Sequence, residues 1–292
     1  MKHSNWVGLI LGLGVLAHTA LGQTIRFRFD PLSPGPPNAV QVFVLAINDR
    51  GNIAGVYFDS ATSHGFYLDS ASSDAYTTVE YPGAAYSVAT GINDKKEISG
   101  YYGTRHSGAV ARGDHGFILS DGRYITIDYP GSAGTRLYGI NNAGDAVGES
   151  LAPSTGFIYT KGQFRTVTCP GGTAGIPRGM NNKGQVVGFC AIRKDGGTRK
   201  RDSFLLSADG VLLIDYRAPW LSEAEILPNA VNDSGDIVGW YFVEGERHGF
   251  LLNAGPNSEF IPVDNDPATL VNGINSKRQI VGFSRHSFVG HP

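Results

Sequence analysis

Apolar and polar positions alternate along this chain in short bursts. Ala230-Val231 gives way to Asn232-Asp233-Ser234-Gly235-Asp236, and an apolar run resumes at Ile237-Val238-Gly239-Trp240-Tyr241. Runs of this length bounded by Asn, Asp and Gly predict short β-strands joined by tight turns, not helices. The same cadence returns at Ala46-Ile47-Asn48-Asp49, Gly91-Ile92-Asn93-Asp94, Gly139-Ile140-Asn141-Asn142, Gly179-Met180-Asn181-Asn182 and Gly273-Ile274-Asn275-Ser276. Each copy reaches a glycine seven residues after its asparagine, at Gly55, Gly100, Gly148, Gly188, Gly239 and Gly282. The asparagines fall 45, 48, 40, 51 and 43 residues apart, a period typical of propellers, solenoids and arrays.

Two further segments recur in register. One centres on Phe66, Phe117, Phe157, Phe204, Phe250 and Phe288, often entered through His-Gly as at His64-Gly65, His115-Gly116 and His248-Gly249. The next follows a Gly- or Ser-rich turn and resembles Tyr124-Ile125-Thr126-Ile127-Asp128-Tyr129-Pro130-Gly131. Each unit therefore reads as four short strands. In the turn, the Asn or Asp side chain can accept from the backbone two residues on, and Gly51, Gly144, Gly184 and Gly235 supply positive φ. Lys96 and Arg278 replace that glycine in the second and sixth copies, so those two turns are expected to differ from the rest. The Asn/Asp cluster lacks the 12-residue spacing and terminal Glu of an EF-hand loop.

Six units of four strands predict an all-β fold, a six-bladed β-propeller with four antiparallel strands per blade. The ends of the chain are complementary. Ile25-Arg26-Phe27-Arg28-Phe29-Asp30-Pro31 resembles a fourth strand, whereas the sequence finishes on a third, at His286-Ser287-Phe288. The N-terminal strand is thus expected to complete the C-terminal blade and close the ring. Residues 23–292 would form this single domain of six repeats of about 45 residues each. Before it, Lys2 and His3 precede an apolar run from Trp6 to Leu16, and Ala20-Leu21-Gly22 offers small residues for cleavage. Residues 1–22 read as a secretory signal peptide, too short for a comfortable span. The mature protein is expected to be secreted or periplasmic, with no transmembrane segment after signal removal.

Composition agrees with this picture. Forty glycines against two methionines favour strands and turns, and a formal net charge of -2 gives no support for a nucleic-acid partner. From about Ile25 onward the repeats, combining G-I-N-[DN]-x-G-x-[IV]-V-G with H-G-F, resemble the bacterial extracellular HAF repeat family. Thr155-Gly156-Phe157 and Asp202-Ser203-Phe204 depart from it by lacking the histidine. The resemblance implies export and a propeller-like repeat, without an agreed activity.

If strands alternate direction, the Asn turns and the Asp-Gly turns share one face, and the more variable loops share the other. The variable loops carry Tyr101, Tyr102, Arg105 and His106, the basic residues Arg193, Lys194, Arg199, Lys200 and Arg201, and Trp240 and Tyr241 followed by Glu244, Glu246 and Arg247. Aromatic faces beside hydrogen-bonding groups suit a sugar or another polar ligand, but such aromatics equally pack between blades. Near the axis, the residue before each small residue of the motif varies most: Leu45, Thr90, Tyr138, Arg178, Asn229 and Asn272. Tyr138, Arg178, Asn229 and Asn272 could line a central funnel, or could serve inter-blade hydrogen bonds.

His64, His115 and His248 occupy equivalent places in separate blades, so they are expected to pack locally rather than converge on a metal. Glu80, Asp128, Asp215 and Asp264, with Asp30 and Thr168 at matching places, are expected to satisfy local backbone donors. Cys169 and Cys190 are candidates for a disulfide on the variable face. No Gly-x-Ser-x-Gly elbow, phosphate loop or His-Glu-x-x-His pair is present, and no cofactor is expected. The sequence thus reads as a binding or scaffold propeller whose partner is a polar ligand, a glycan or an extracellular protein. The alternative is an extracellular carbohydrate-active enzyme, a glycoside hydrolase or lyase, using the funnel with loop acids such as Glu244.

Overall fold

Alternating strand patterns can bury both faces of a sheet only when sheets stack, and radial stacking of six small sheets is what forms here. The computed structural model describes residues 27–31, 35–71, 76–104, 113–171, 173–193, 199–214, 225–243, 245–254, 258–263, 268–284 and 287–292. The expected signal segment, Ile25, Arg26, Arg105, His106, Lys194, Asp215, Glu244 and Asp264 lie outside the described residues. Among the described residues, twenty-four strands form six antiparallel four-stranded sheets arranged as a β-propeller. Five blades run in simple chain order from the inner to the outer strand. In the sixth, Arg28–Pro31 from the N-terminus pairs antiparallel with Ser287–His291 as the outermost strand.

The inner strands are Gln41–Ile47, Tyr86–Ile92, Thr135–Ile140, Gly175–Met180, Glu225–Val231 and Leu270–Ile274. Each hairpins into a second strand through the repeated Asn turn. Each blade also supplies one phenylalanine to the layer between sheets: Phe66, Phe117, Phe157, Phe204, Phe250 and Phe288 are at most 2% exposed. Burying one such ring is worth about 2–3 kcal/mol before cavity effects, so these six anchor the core. The motif's closing glycine makes room for that ring. At Gly100, an added Cβ would stand 2.1 Å from the Val88 carbonyl oxygen and 2.6 Å from the Phe117 ring.

The turn asparagines do more than shape their own hairpins. Asn93 Oδ1 accepts from Lys95 N and Glu97 N, each at 3.0 Å, which fixes the turn. Its Nδ2 donates to the Asn141 carbonyl of the next blade at 2.8 Å. Equivalent links run from Asn48 to Asn93, Asn181 to Asn232, Asn232 to Asn275, and Asn275 back to Asn48. The following residue repeats the idea: Asp49 N donates to Asp94, Asp94 N to Asn142, Asn142 N to Asn182, Asn182 N to Asp233, and Ser276 N to Asp49. A belt of polar groups, buried at the turn asparagines and more exposed at the residues after them, therefore ties blade to blade on the face of short turns.

Two expectations about these repeats need correction. The turns at Lys96 and Arg278 do not differ: both residues adopt positive φ, 63° and 59°, and both amides donate to the turn asparagine's carbonyl as Gly51 does. Their charged ends find partners that hold them there, Lys96 on Asp69 and Arg278 on Asp236. The rim acids Glu80 and Asp128 serve histidines, not backbone donors. Glu80 Oε1 lies 2.5 Å from His64 Nδ1, and Asp128 Oδ2 lies 2.8 Å from His115 Nδ1. Each of these rings also stacks on a second-strand tyrosine, His64 on Tyr57 and His115 on Tyr102, so the histidines pack locally within separate blades.

Candidate functional site

One local irregularity repeats in all six inner strands. In the third blade Leu137 pairs with Gly148 and Gly139 with Val147, leaving Tyr138 between them without an opposite residue. The same register shift skips Leu45, Thr90, Arg178, Asn229 and Asn272. A bulge of this kind turns its extra side chain out of the regular in-and-out alternation. Here all six extra side chains line one axial cavity of about 300 Å³. That volume is near the lower end of small-molecule pockets, roughly 300–1,000 Å³, so it suits a group about the size of a sugar ring.

The residue after each bulge is Ala46, Gly91, Gly139, Gly179, Ala230 or Gly273, and these small residues let the inner strands close on the axis. An added Cβ at Gly179 would stand 2.5 Å from the Asn229 carbonyl oxygen in the neighbouring blade. Below them, Ile47, Ile92, Ile140, Met180, Val231 and Ile274 form an apolar collar that also borders a lower vestibule of about 70 Å³ among the Asn turns. Polar side chains project into the upper cavity, and the collar beneath them is apolar.

Hydrogen bonds divide the cavity residues by role. Thr90 Oγ1 donates to the Leu137 carbonyl at 2.8 Å, Asn229 Nδ2 to Val271 at 2.9 Å and Asn272 Nδ2 to Val44 at 2.8 Å, each across a blade boundary. Those donors bind the scaffold together. Tyr138 and Arg178 make no such ties to strand carbonyls among the described residues. The Arg178 guanidinium carbon lies over the Tyr138 ring at 4.3 Å and over Phe189 at 5.2 Å. Tyr138 donates its hydroxyl to Glu149 Oε2 at 3.0 Å, and burial pushes its pKa up to about 12, with Arg178 working against the rise. The phenol is therefore a neutral donor and aromatic face at any ordinary pH.

Tyr101 borders this cavity and also a shallower groove of about 560 Å³ that includes Phe58, Thr62, Tyr86, Val88 and Arg136. In the groove a buried carboxylate organises two ligand-sized side chains. Asp114, 2% exposed, accepts from Arg136 Nε at 2.5 Å and from the Tyr86 hydroxyl. Arg136 in turn lies over the Tyr101 ring at 4.6 Å. Burial followed by the Asp114 charge raises the Tyr86 pKa, so that hydroxyl too remains a donor.

The remaining sequence candidates fall elsewhere. Tyr102 is buried and stacked on Tyr81 with ring centroids 3.7 Å apart, and Tyr241 is buried and stacked on His248, so both belong to the core. The physical reason is the strand period of two: Tyr101 and Tyr102 are neighbours and must face opposite ways. Trp240 is half-buried beneath Arg247, whose guanidinium lies 5.2 Å from its ring. Cys169 and Cys190 form a disulfide with Cα atoms 6.1 Å apart. Residues with no earlier assignment support the cavity side chains: Glu149 accepts from Tyr138, Phe189 packs on Arg178, and Arg136, held by Asp114, lies over Tyr101. Glu149, Phe189 and Tyr101 share one sequence position, directly after the motif's closing glycine.

No protein-family model matches the chain, and no curated protein does. Among solved structures the chain is similar to TolB from Acinetobacter baumannii, with a TM-score of 0.54 and 10% identity over 76% of this chain and 54% of that one. It is also similar to the β-propeller domain of the Trilobed protease from Pyrococcus furiosus, described as having an open velcro topology, at TM-score 0.50 and 11% identity over 87% of this chain and 78% of that one. The six-bladed fucose-recognising lectin of Aleuria aurantia matches at TM-score 0.48 and 10% identity, covering 86% and 90%. At these identities the likeness is one of fold.

Proposed function

We propose that this chain is an exported binding propeller that takes a polar ligand, carbohydrate in class, in the axial cavity on its variable-loop face. The observation that carries the reading is the set of six bulges, which send side chains of five residue types into one cavity while the next position is Gly or Ala in every blade. A scaffold needs sameness in each sector. Bulges favour sites where a side chain must be re-aimed, and here the re-aimed position differs from blade to blade. Tyr101 and Tyr138 offer aromatic faces, Arg178 offers donors, and Asn229 keeps its side-chain oxygen as an acceptor. Export rests on the N-terminal signal pattern, and membership of the HAF-type repeat family rests on the G-I-N and H-G-F repeats.

The test is a glycan-array screen of the full mature chain, paired with a hydrolysis assay on each glycan bound. Tyr138→Ala should weaken binding by about tenfold or more, since the aromatic face that a sugar stacks on is lost. Binding without turnover is the expected result. Turnover of a bound glycan would move the protein to the carbohydrate-active enzymes, and binding indifferent to Tyr138→Ala would move the ligand off the axis.

A further inference from the structure

Arg178 is the one charged side chain among the residues that line the axial cavity. It is half-buried, and among the described residues it makes no hydrogen bond or ion pair. Its nearest company is two neutral rings, which occupy the flat face of a guanidinium and leave its N–H donors in the plane free. A partly buried guanidinium whose five donors meet no hydrogen-bonded acceptor among the described residues is an unusual thing to leave in a protein. The other arginine nearby, Arg136, shows the contrast: it is clamped by Asp114.

We infer that the axial cavity selects a ligand bearing a single carboxylate on a sugar-sized ring, with Arg178 as the bidentate partner. The inference rests on the axial-cavity reading above and names its substrate class. A carboxylate matches the planar fork of a guanidinium with two parallel hydrogen bonds. A phosphate monoester matches it less well, because it approaches two negative charges near neutral pH and the cavity offers one cation. Glu149, hydrogen-bonded to Tyr138, adds negative potential beside the same wall and disfavours the second charge further. Tyr101 and Tyr138 supply ring faces, and the Asn229 side-chain oxygen can accept from a hydroxyl, which fits an acidic sugar better than an acidic peptide.

Calorimetric titration of the full mature chain with galacturonate and with its methyl ester tests this on unaltered protein. The ester keeps the ring and hydroxyls and removes the charge. It should bind roughly tenfold or more weakly, the scale of a charge-assisted hydrogen-bond pair. Arg178→Gln should weaken the acid more than the ester and bring the two to similar affinity, and Arg178→Lys should fall between. Equal affinity for acid and ester, tighter binding of inorganic phosphate or of a glutamate-rich peptide, or no binding of the acid overturns the inference. If the ester binds and is lost in Tyr138→Ala, the axial site stands and only its charge selectivity fails. If neither sugar binds, the inference falls, and the axial-cavity reading stands or falls with the glycan array.

Discussion

Lys96 and Arg278 stand in left-handed backbone where four sister turns use glycine, so each stores strain that a partner must offset. The partners differ in burial. Lys96 reaches Asp69 at the surface, where an ion pair contributes little, whereas Arg278 holds Asp236, whose side chain is fully buried. Lys96→Gly should therefore stabilise the fold by up to about 1 kcal/mol, while Arg278→Gly should destabilise it by about 2 kcal/mol after allowing for the half-exposed guanidinium. Urea unfolding of the two variants would show the opposite signs, and equal signs would refute the explanation. Burial opposes ionisation of Asp236, but Arg278, the Ala254 amide and Asn232 outweigh it and lower its pKa. That contribution is present above the ordinary carboxylate value of 3.8 and disappears as pH falls through the lower folded value. At His64 the sign reverses. Burial works against its charge, yet Glu80 and Asp59 raise its pKa above 6.5. Its stabilisation is complete below 6.5 and is lost as pH rises through the folded value, so His64→Gln should flatten the alkaline side of a stability profile and leave Asp236's acid limb in place.

At the scale of the element, the inner strand explains both what repeats and what varies. Its bulge aims one side chain at the axis, and the small residue behind it sets how closely neighbouring blades approach. Gly179 and Gly139 separate these roles. A Cβ on Gly179 would meet the Asn229 carbonyl at 2.5 Å and the Ala230 Cα at 2.8 Å, whereas on Gly139 the nearest atom is an ordinary 3.4 Å away. Gly179→Ala should destabilise by about 1–3 kcal/mol through overpacking, and Gly139→Ala by little. Similar losses in both, measured by thermal unfolding, would deny the crowding argument. Strand order, blade number and the hairpin motif were legible in the sequence because they depend on residues close together in one repeat. So was the variable position before each small residue. The bulge itself was not, although Pro177 and Pro228 at its edge are a usable signal, since proline in a sheet interior concentrates at bulges.

At the scale of the molecule, the features that sequence reading missed are those assembled from different blades. The asparagine belt joins residues more than forty positions apart, and the Arg178 guanidinium lies over the Tyr138 ring of the preceding blade. No single repeat contains both halves of such a contact. Tyr102 went to the core for a simpler reason, the alternation of facing along a strand, which separates it from Tyr101 at the site. The Cys169–Cys190 bridge secures one corner of the variable face across 21 residues. Its removal as Cys169→Ser with Cys190→Ser should lower unfolding free energy by about 2–4 kcal/mol, measured in denaturant against the oxidised chain. The central claim is that the polar upper end of the axis is the binding site and the belt of turns is scaffold. Hydrogen–deuterium exchange with and without saturating galacturonate tests it most directly. Ligand should slow exchange at the bulges around 138, 178, 229 and 272 and around 101, with the Asn turns unchanged. Protection confined to the outer strands or to the turns at 48–52 and 93–97 would contradict the account.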